Sequence, residues 1–261
     1  MGKWNLHHFY SKDSEIRKYL PPTSLFNAET LRKFMGKYGA VYIKPDNEHM
    51  GKGIIKAWRT PRGYAFVILR GNTIKCASLD RLYKEIKKRS LSQQYIIQKA
   101  IPLAKINGRP FDIRVMMMRN LQNRWQFFGL YSKVAGPKSI VTNVTSSRGY
   151  VTLFENSMKQ SLRYSKKKTE RVKRRLIHLS NKICKRAGKI RYYQKIGNDF
   201  AVDNKGKIWL IEVNFSYPGF KGFSKLPNQK YYWGIKKMNN ILRKRRLQRV
   251  DNNRVKVHLD D

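Results

Sequence analysis

The chain has 261 residues, of which 57 are Lys or Arg and only 16 are Asp or Glu, giving a formal net charge of +41 at neutral pH. A hydrophobic fraction of 41% with 12% aromatics excludes a disordered polycation, and no apolar run approaches the ~18 residues of a membrane-spanning helix. The charge implies a polyanionic partner, whether nucleic acid, an anionic membrane or wall polymer, or an acidic protein, and is silent about the fold.

The length suits one large domain or two intimate subdomains. Cys76 and Cys184 lie far apart without a CxxC pattern, so two idle thiols in a reducing compartment are expected. No signal-like apolar region follows Met1, and Leu6 stands where the N-myristoylation pattern needs Ser or Thr. The chain is expected in the cytoplasm at synthesis.

Residues 1–26 carry mixed signals, and Pro21-Pro22 ends any helix begun near Asp13. Asn27 or Thr30 caps a predicted helix with Leu31, Phe34, Met35 and Tyr38 on one face, stopped by Gly39. Val41-Tyr42-Ile43 reads as a strand ending at Lys44-Pro45. The loop from Asp46 to Lys52 then leads through Gly51-Lys52-Gly53 into a second strand, Ile54 to Trp58. Tyr64 to Arg70 and Thr73 to Ala77 read as a hairpin turned at Gly71-Asn72. Leu79 to Lys88 has the spacing of a short amphipathic helix, Tyr95 to Gln98 is a buried strand, and Pro102 to Pro110 a connecting loop. Phe111 to Arg119 and Arg124 to Val134 read as paired long strands, with Met116-Met117-Met118 filling core. Residues 135–150 form a Gly-, Ser- and Thr-rich loop. From Lys166 to Ala187, apolar residues recur at three and four, predicting one long helix with a basic outer face, stopped by Gly188. Tyr231 to Leu242 predicts a last helix before a basic tail. The five histidines show no ligand spacing.

The stretch Asp199 to Asn214 reads as a β-hairpin. Phe200-Ala201-Val202 enters the turn formers Asp203-Asn204-Lys205-Gly206, and Ile208 to Val213 leads back out. Asp199 then stands near the level of Glu212 and Asn214, which project together because residues two apart share a strand face. Three oxygen-bearing side chains on a rigid sheet suit a hard cation such as Mg²⁺. Asp203 is simply a turn residue.

In this order, several of these pieces resemble the ATP-grasp superfamily, and within it the YheC/YheD endospore-coat-associated branch. The ribosomal-protein glutamate ligases are more distant relatives. The pieces are Lys3-Trp4, Leu20-Pro21-x-Thr23, Ile43-Lys44-Pro45 with Gly51-x-Gly53, Ile97-Gln98 before Ile101, Gly108-Arg109-x-x-Asp112-Ile113-Arg114, Thr142-Asn143, and Asp199 through Glu212-Val213-Asn214. The resemblance covers roughly residues 1–225. It implies an α+β fold in which two subdomains with antiparallel sheets enclose a nucleotide, at about residues 27–98 and 99–225, followed by a helix and basic tail at 226–261.

The resemblance also implies roles. ATP and Mg²⁺ are the expected cofactors, with Asp199, Glu212 and Asn214 as metal ligands. Lys3 and Lys44 match lysines that reach ATP phosphates, and Gly51, Lys52 and Gly53 a loop that folds over them. Gln98, Lys99 and Ile101 match the hinge that reads adenine, Asp112 a position near the ribose, and Asn143 part of the same site. Arg114, Lys133 and Arg148 are placed to meet the transferred phosphate or the acyl substrate. Two positions depart from related sequences, which often carry Arg for Lys133 and Gly-Gly for Arg148-Gly149; lysine does not reproduce bidentate phosphate recognition. The Asp199–Glu212 spacing is one residue longer than in the glutamate ligases, and a longer turn at Asp203–Gly206 is expected to absorb it. The chain begins almost at the ATP-grasp core, so the acceptor is expected to be bound by another protein or to be large itself.

The implied function is an ATP- and Mg²⁺-dependent ligase, activating a carboxylate as an acylphosphate for attack by an amine on a wall-, coat- or protein-linked acceptor, with association to the spore coat. The alternatives are a non-catalytic protein that binds nucleic acid or another polyanion, or a structural coat protein, each with a retained ATP site.

Overall fold

A computed structural model describes residues 2–48, 52–69, 71–89, 93–137, 139–142, 144–215 and 218–257, with side chains placed for all of these but 145, 146 and 246–257. Two short helices come first, α1 (Lys3–Ser11) and α2 (Ser14–Arg17). The second is nucleated by Asp13, whose carboxylate accepts from the N–H groups of Glu15 and Ile16. The mixed sequence of this region concealed α1, which has no strong apolar stripe.

The first sheet contains β1 (Thr23–Leu25), β2 (Ala40–Pro45), β3 (Ile55–Thr60), β4 (Gly63–Ile68), β5 (Ile74–Cys76) and β6 (Tyr95–Lys99), in the order β1-β6-β2-β3-β4-β5. All its pairings are antiparallel. Helices α3 (Ala28–Tyr38) and α4 (Leu79–Arg89) cover one face. A reciprocal capping box between Asn27 and Thr30 starts α3, and Gly39, at φ 69°, ends it. Leu31, Phe34 and Met35 from α3 and Leu82 and Ile86 from α4 bury against Val41, Ile43, Ile55, Phe66 and Ile97.

The second sheet has the order β10-β9-β8-β11-β12, with β7 (Lys105–Ile106) paired to β8 (Arg109–Arg119). Its other members are β9 (Trp125–Val134), β10 (Tyr150–Thr152), β11 (Lys195–Val202) and β12 (Ile208–Asn214). Between them lie α5 (Val144–Ser147), α6 (Phe154–Leu162) and α7 (Lys166–Ala187), and after them a 3₁₀ turn (Lys221–Lys225) and α8 (Lys230–Val257). Helix α7 has the bounds its periodicity predicts. Its Leu176, Leu179, Ile183 and Ala187 pack on Ile113, Val115, Met117, Ile196 and Phe200, and Tyr10 and Ile16 of the first helices join the same core.

The opposite face of this sheet divides into two halves. Met116 and Met118 lie under Phe223, Leu226 and Ile235, contributed by the 3₁₀ turn and α8. So α8 packs on this sheet over its first turns, and it runs on as helix to Val257, through residues expected to form a basic tail. Gly222 permits the close fit: a Cβ there would come 2.3 Å from the Tyr131 hydroxyl oxygen. Continuing along β8 on the same face come Arg114 and Asp112, which line a cleft instead of packing under α8.

Candidate functional site

The Asp112–Arg114 half of the second sheet and the first sheet enclose a cleft of about 760 Å³, closed at one side by α1. The strand register brings its charged floor together. Asp199 on β11 pairs with Arg114 of β8 on one side and Glu212 of β12 on the other. Asp112 opposes Lys133, and Arg114 opposes Tyr131. The pairing of β12 shifts between Glu212 and Leu210, leaving Ile211 without a partner across the strand. That bulge sets Glu212 opposite Asp199 and lets both Ile211 and Glu212 line the cleft. Asp203 organises the turn, accepting from the N–H of Lys205 and of Lys207 and from the Trp209 indole.

The floor is a connected set of ion pairs. Arg114 donates to both Asp199 oxygens, at 2.5 and 2.9 Å. Lys133 Nζ lies 3.1 Å from Asp112 Oδ1 and 3.2 Å from Asp199 Oδ2, an ion pair with each carboxylate. Thr142 donates a short hydrogen bond to the other Asp112 oxygen. Burial alone would raise Asp199, but Arg114 and Lys133 outweigh it and hold the carboxyl down to about 2. Asp112 lacks a guanidinium; burial dominates and, with the charge of Asp199, pushes it up to about 6 against the pull of Lys133. The two carboxylates thus have different standing on one sheet face.

The roof is cationic. Lys44 donates to Gln98 Oε1 at 2.7 Å, and Gln98 Nε2 donates to Thr23 at 2.9 Å. Desolvation pushes Lys44 down to about 8, with Glu212 opposing that shift and Lys3 adding to it. Lys44 therefore has a neutral hydrogen-bond partner and only a distant carboxylate, the setting in which a bound anion would be favoured. Lys3 reaches the cleft from the start of α1, but its ammonium is clasped by the carbonyls of Pro45, Asp46 and Glu48. Gly53 takes φ 67° and brings its backbone against Pro45, and Lys52 lines the cleft. Along the hinge, the N–H groups of Lys99 and Ala100 are already committed to Pro22 and Ala40. Ile101 is buried and forms part of the apolar wall with Ile96 and Leu103.

One expected residue stands apart from this constellation. Arg148 is exposed and absent from the cleft lining. Its left-handed backbone, φ 53°, turns it outward while neighbouring Ser147 is buried against Gly136. Gly51 and Asn143 lie outside the described residues. Conversely, Tyr131 lines the cleft without having been singled out, and Thr23 and Thr142, quoted in the motifs but given no role, line it as well. Tyr131 could have been found, since it stands two residues before Lys133 on the same strand face.

A model of a family described as YheC/D like ATP-grasp matches residues 1–239. The chain belongs to this family. It is 29% identical over 232 residues to the endospore coat-associated protein YheD of Bacillus subtilis (strain 168), covering 85% of this chain and 49% of YheD. It is 23% identical over 243 residues to YheC of the same organism, covering 87% and 63%. The chain thus spans about half of YheD and under two thirds of YheC. Among solved structures, the C-terminal domain of K. lactis Pby1, an ATP-grasp enzyme, aligns with a TM-score of 0.52 at 14% identity over 88% of this chain and 68% of that one. N5-carboxyaminoimidazole synthetase from Staphylococcus aureus, complexed with ADP, aligns with a TM-score of 0.52 at 12% identity over 85% and 46%. These likenesses show the ATP-grasp fold, α+β with two antiparallel sheets.

ATP-grasp proteins typically use Mg²⁺, and the donor set can be tested for it. Among the described residues no three His, Cys, Asp or Glu side chains converge. Asn214 donates its amide hydrogens to Asp199 at 3.2 Å and to the Gly197 carbonyl at 3.4 Å, which leaves its side-chain oxygen available. Glu212 is half-buried in the cleft and has no ion pair among the described residues. Two oxygen donors fit Mg²⁺, which is ordinarily held by one or two protein groups plus substrate phosphates. Asp199 stands beside them, its Oδ2 engaged by Arg114, Lys133 and Asn214 and its Oδ1 by Arg114 alone.

Proposed function

We propose that the chain is an ATP- and Mg²⁺-dependent ligase that phosphorylates a carboxylate and passes the acyl group to an amine. The observation that supports this best is the meeting of two complementary half-sites in one cleft: an under-neutralised lysine, Lys44, on the first sheet, and the Glu212–Asn214 oxygen pair beside the Arg114–Asp199–Lys133 network on the second. The fold itself supports ATP binding.

In this reading a substrate carboxylate oxygen attacks the γ-phosphorus, the bond to ADP breaks, and ADP leaves with its pair of electrons. The amine nitrogen then attacks the acyl carbon, inorganic phosphate leaves, and the amine gives up a proton. Such transfers depend on positioning and charge neutralisation. Lys44, with Lys3 at its side, meets the phosphates, and an apolar wall at Ile96, Ile101 and Leu103 receives the base. Glu212 and Asn214 would hold Mg²⁺, which when bound neutralises the phosphate oxygens. Arg114 and Lys133 supply cations already desolvated and fixed by Asp199 and Asp112, so little reorganisation is needed when negative charge arrives.

Incubation with ATP, Mg²⁺, a panel of carboxylates and hydroxylamine tests the reading, because hydroxylamine intercepts acylphosphates as hydroxamates. ADP release coupled to hydroxamate supports it; ATP binding without hydroxamate across the panel favours a retained, non-catalytic site. The names of YheC and YheD further support a place for this chain at an endospore coat, to be checked by fractionating spores of a host that expresses it.

A further inference from the structure

Helix α7 lies on the far side of the second sheet from the cleft, and none of its residues lines that cleft. On its outer face Lys167, Arg171, Arg174 and Lys185 are exposed. The acids within reach are taken by other cations: Glu155 and Glu170 by Lys173, Glu15 by Arg175 and Lys182, and Asp13 by Lys182. The four have no side-chain hydrogen bond, ion pair or ring partner among the described residues. At a rise of about 1.5 Å per residue they run roughly 27 Å along the helix, three in its first half and Lys185 near its end, with His178, paired to Glu15, between.

Apart from Glu170 four residues before Arg174, the charges along this face work against the helix. Lys167 and Arg171, and Arg171 and Arg175, are like charges four apart, a spacing that destabilises helices. Lys166, Lys167 and Lys168 occupy the first turn, which has no acidic residue, where the macrodipole disfavours cations. Residues that oppose the element carrying them call for an external anion.

Just past the end of α7 stands Tyr192, 62% exposed. The Arg119 guanidinium sits 4.9 Å from its ring and 4.6 Å from that of Trp125. Arg119 is fixed in turn by bonds to the carbonyls of Tyr193 and Asn123. Arg191 covers Tyr193, which stacks on Phe215 with centroids 4.7 Å apart. An exposed ring on a braced guanidinium, at the end of a row of free cations, combines a stacking platform with a backbone track.

We propose that the outer face of α7 together with Tyr192 is a binding site for single-stranded nucleic acid, separate from the nucleotide cleft. The row neutralises phosphates, and the ring takes an unpaired base. An acidic peptide would use the row alone, and a duplex offers the ring no free base face.

The test is fluorescence anisotropy of the full chain with a labelled 20-nucleotide oligothymidylate across a salt series, with a 20-base-pair duplex and polyglutamate as competitors. The double variant R171Q/R174Q is expected to lower the log–log salt slope by about 1.4, at ~0.7 per phosphate contact, which makes binding about 25-fold weaker at 0.1 M salt. Its thermal midpoint should equal or exceed that of wild type, since repulsion is relieved. Y192A is expected to weaken binding roughly tenfold with the salt slope unchanged. Saturating Mg²⁺-ATP should leave the affinity as it was. An unchanged slope in R171Q/R174Q, an unchanged affinity in Y192A, or competition by duplex or polyglutamate as effective as by unlabelled oligonucleotide would overturn the proposal.

Discussion

Replacing Asp199 with alanine strips the cleft floor of the anion that both Arg114 and Lys133 face. Their side chains are each 11% exposed, and that of Asp199 is 4% exposed, so the change leaves two nearly buried cations sharing only Asp112. Breaking a buried ion pair by removing one partner costs about 3–5 kcal/mol. With an unfolding entropy of about 2.1 cal/mol/K per residue, 261 residues give about 0.55 kcal/mol/K, so the thermal midpoint should fall by about 5–9 °C if the chain unfolds as one unit. D199N, which keeps the shape and loses the charge, should fall nearly as far. The double variant R114L/D199L should recover much of the loss, because removing both charges removes the uncompensated burial. Differential scanning calorimetry measures all three. A drop under about 2 °C in D199A, or a double variant no better than D199A, would refute the inference that this network is held by mutual neutralisation. The pH profile follows from the same pair. Asp199 has a folded value of about 2 against an ordinary 3.8, so its stabilisation is complete above about pH 4 and is lost as pH falls toward 2. Asp112, raised from 3.8 to about 6, works in the opposite sense: its ionisation costs stability as pH rises from about 4 through 6.

Other outcomes can be stated more briefly. Lys44 is pushed down to about 8, so it loses its proton as pH rises through that value; ATP affinity should weaken above pH 8, by up to tenfold per unit, while K44M binds weakly with no such dependence. Titrations between pH 7 and 10 compare the two. Gly53 has φ 67°, and an added Cβ would lie 2.9 Å from Pro45 Cγ; G53A should therefore cost about 1–2 kcal/mol, read from denaturant midpoints, whereas alanine at exposed Gly36 should be neutral or stabilising.

What could be read in the chain, and what could not, divides along physical lines. The bounds of α7 followed from periodicity over 22 residues, and the start of α3 from the local chemistry of Asn27 and Thr30. That the hairpin brings Asp199 near the level of Glu212 was visible because turn residues and alternation are local signals. The bulge at Ile211 was not, since it depends on how β12 meets β11 rather than on any residue that demands it. Helix α1 was missed because it leans on the α7 core through Tyr10 instead of showing a stripe of its own, and the connection at 102–110 and the loop at 135–150 hid the short elements β7, α5 and β10 for want of length. At the site, Lys44, Asp112, Glu212 and Asn214 were legible as residue types in motifs. The sequence could not say that Asp199 is engaged by Arg114 and Lys133, that Lys3 is clasped by carbonyls, or that a left-handed backbone turns Arg148 away. Those facts depend on cross-strand neighbours far away in the chain.

The central claim is that the cleft holds ATP with Mg²⁺ through Glu212, Asn214 and Lys44. Titration calorimetry with ATP, with and without Mg²⁺, on wild type and E212Q addresses it most directly. The account predicts Mg²⁺-dependent binding by wild type and at least a tenfold loss in E212Q, with the thermal midpoint of the free protein preserved. Equal binding by E212Q, or no ATP binding by wild type with Mg²⁺ present, would contradict it.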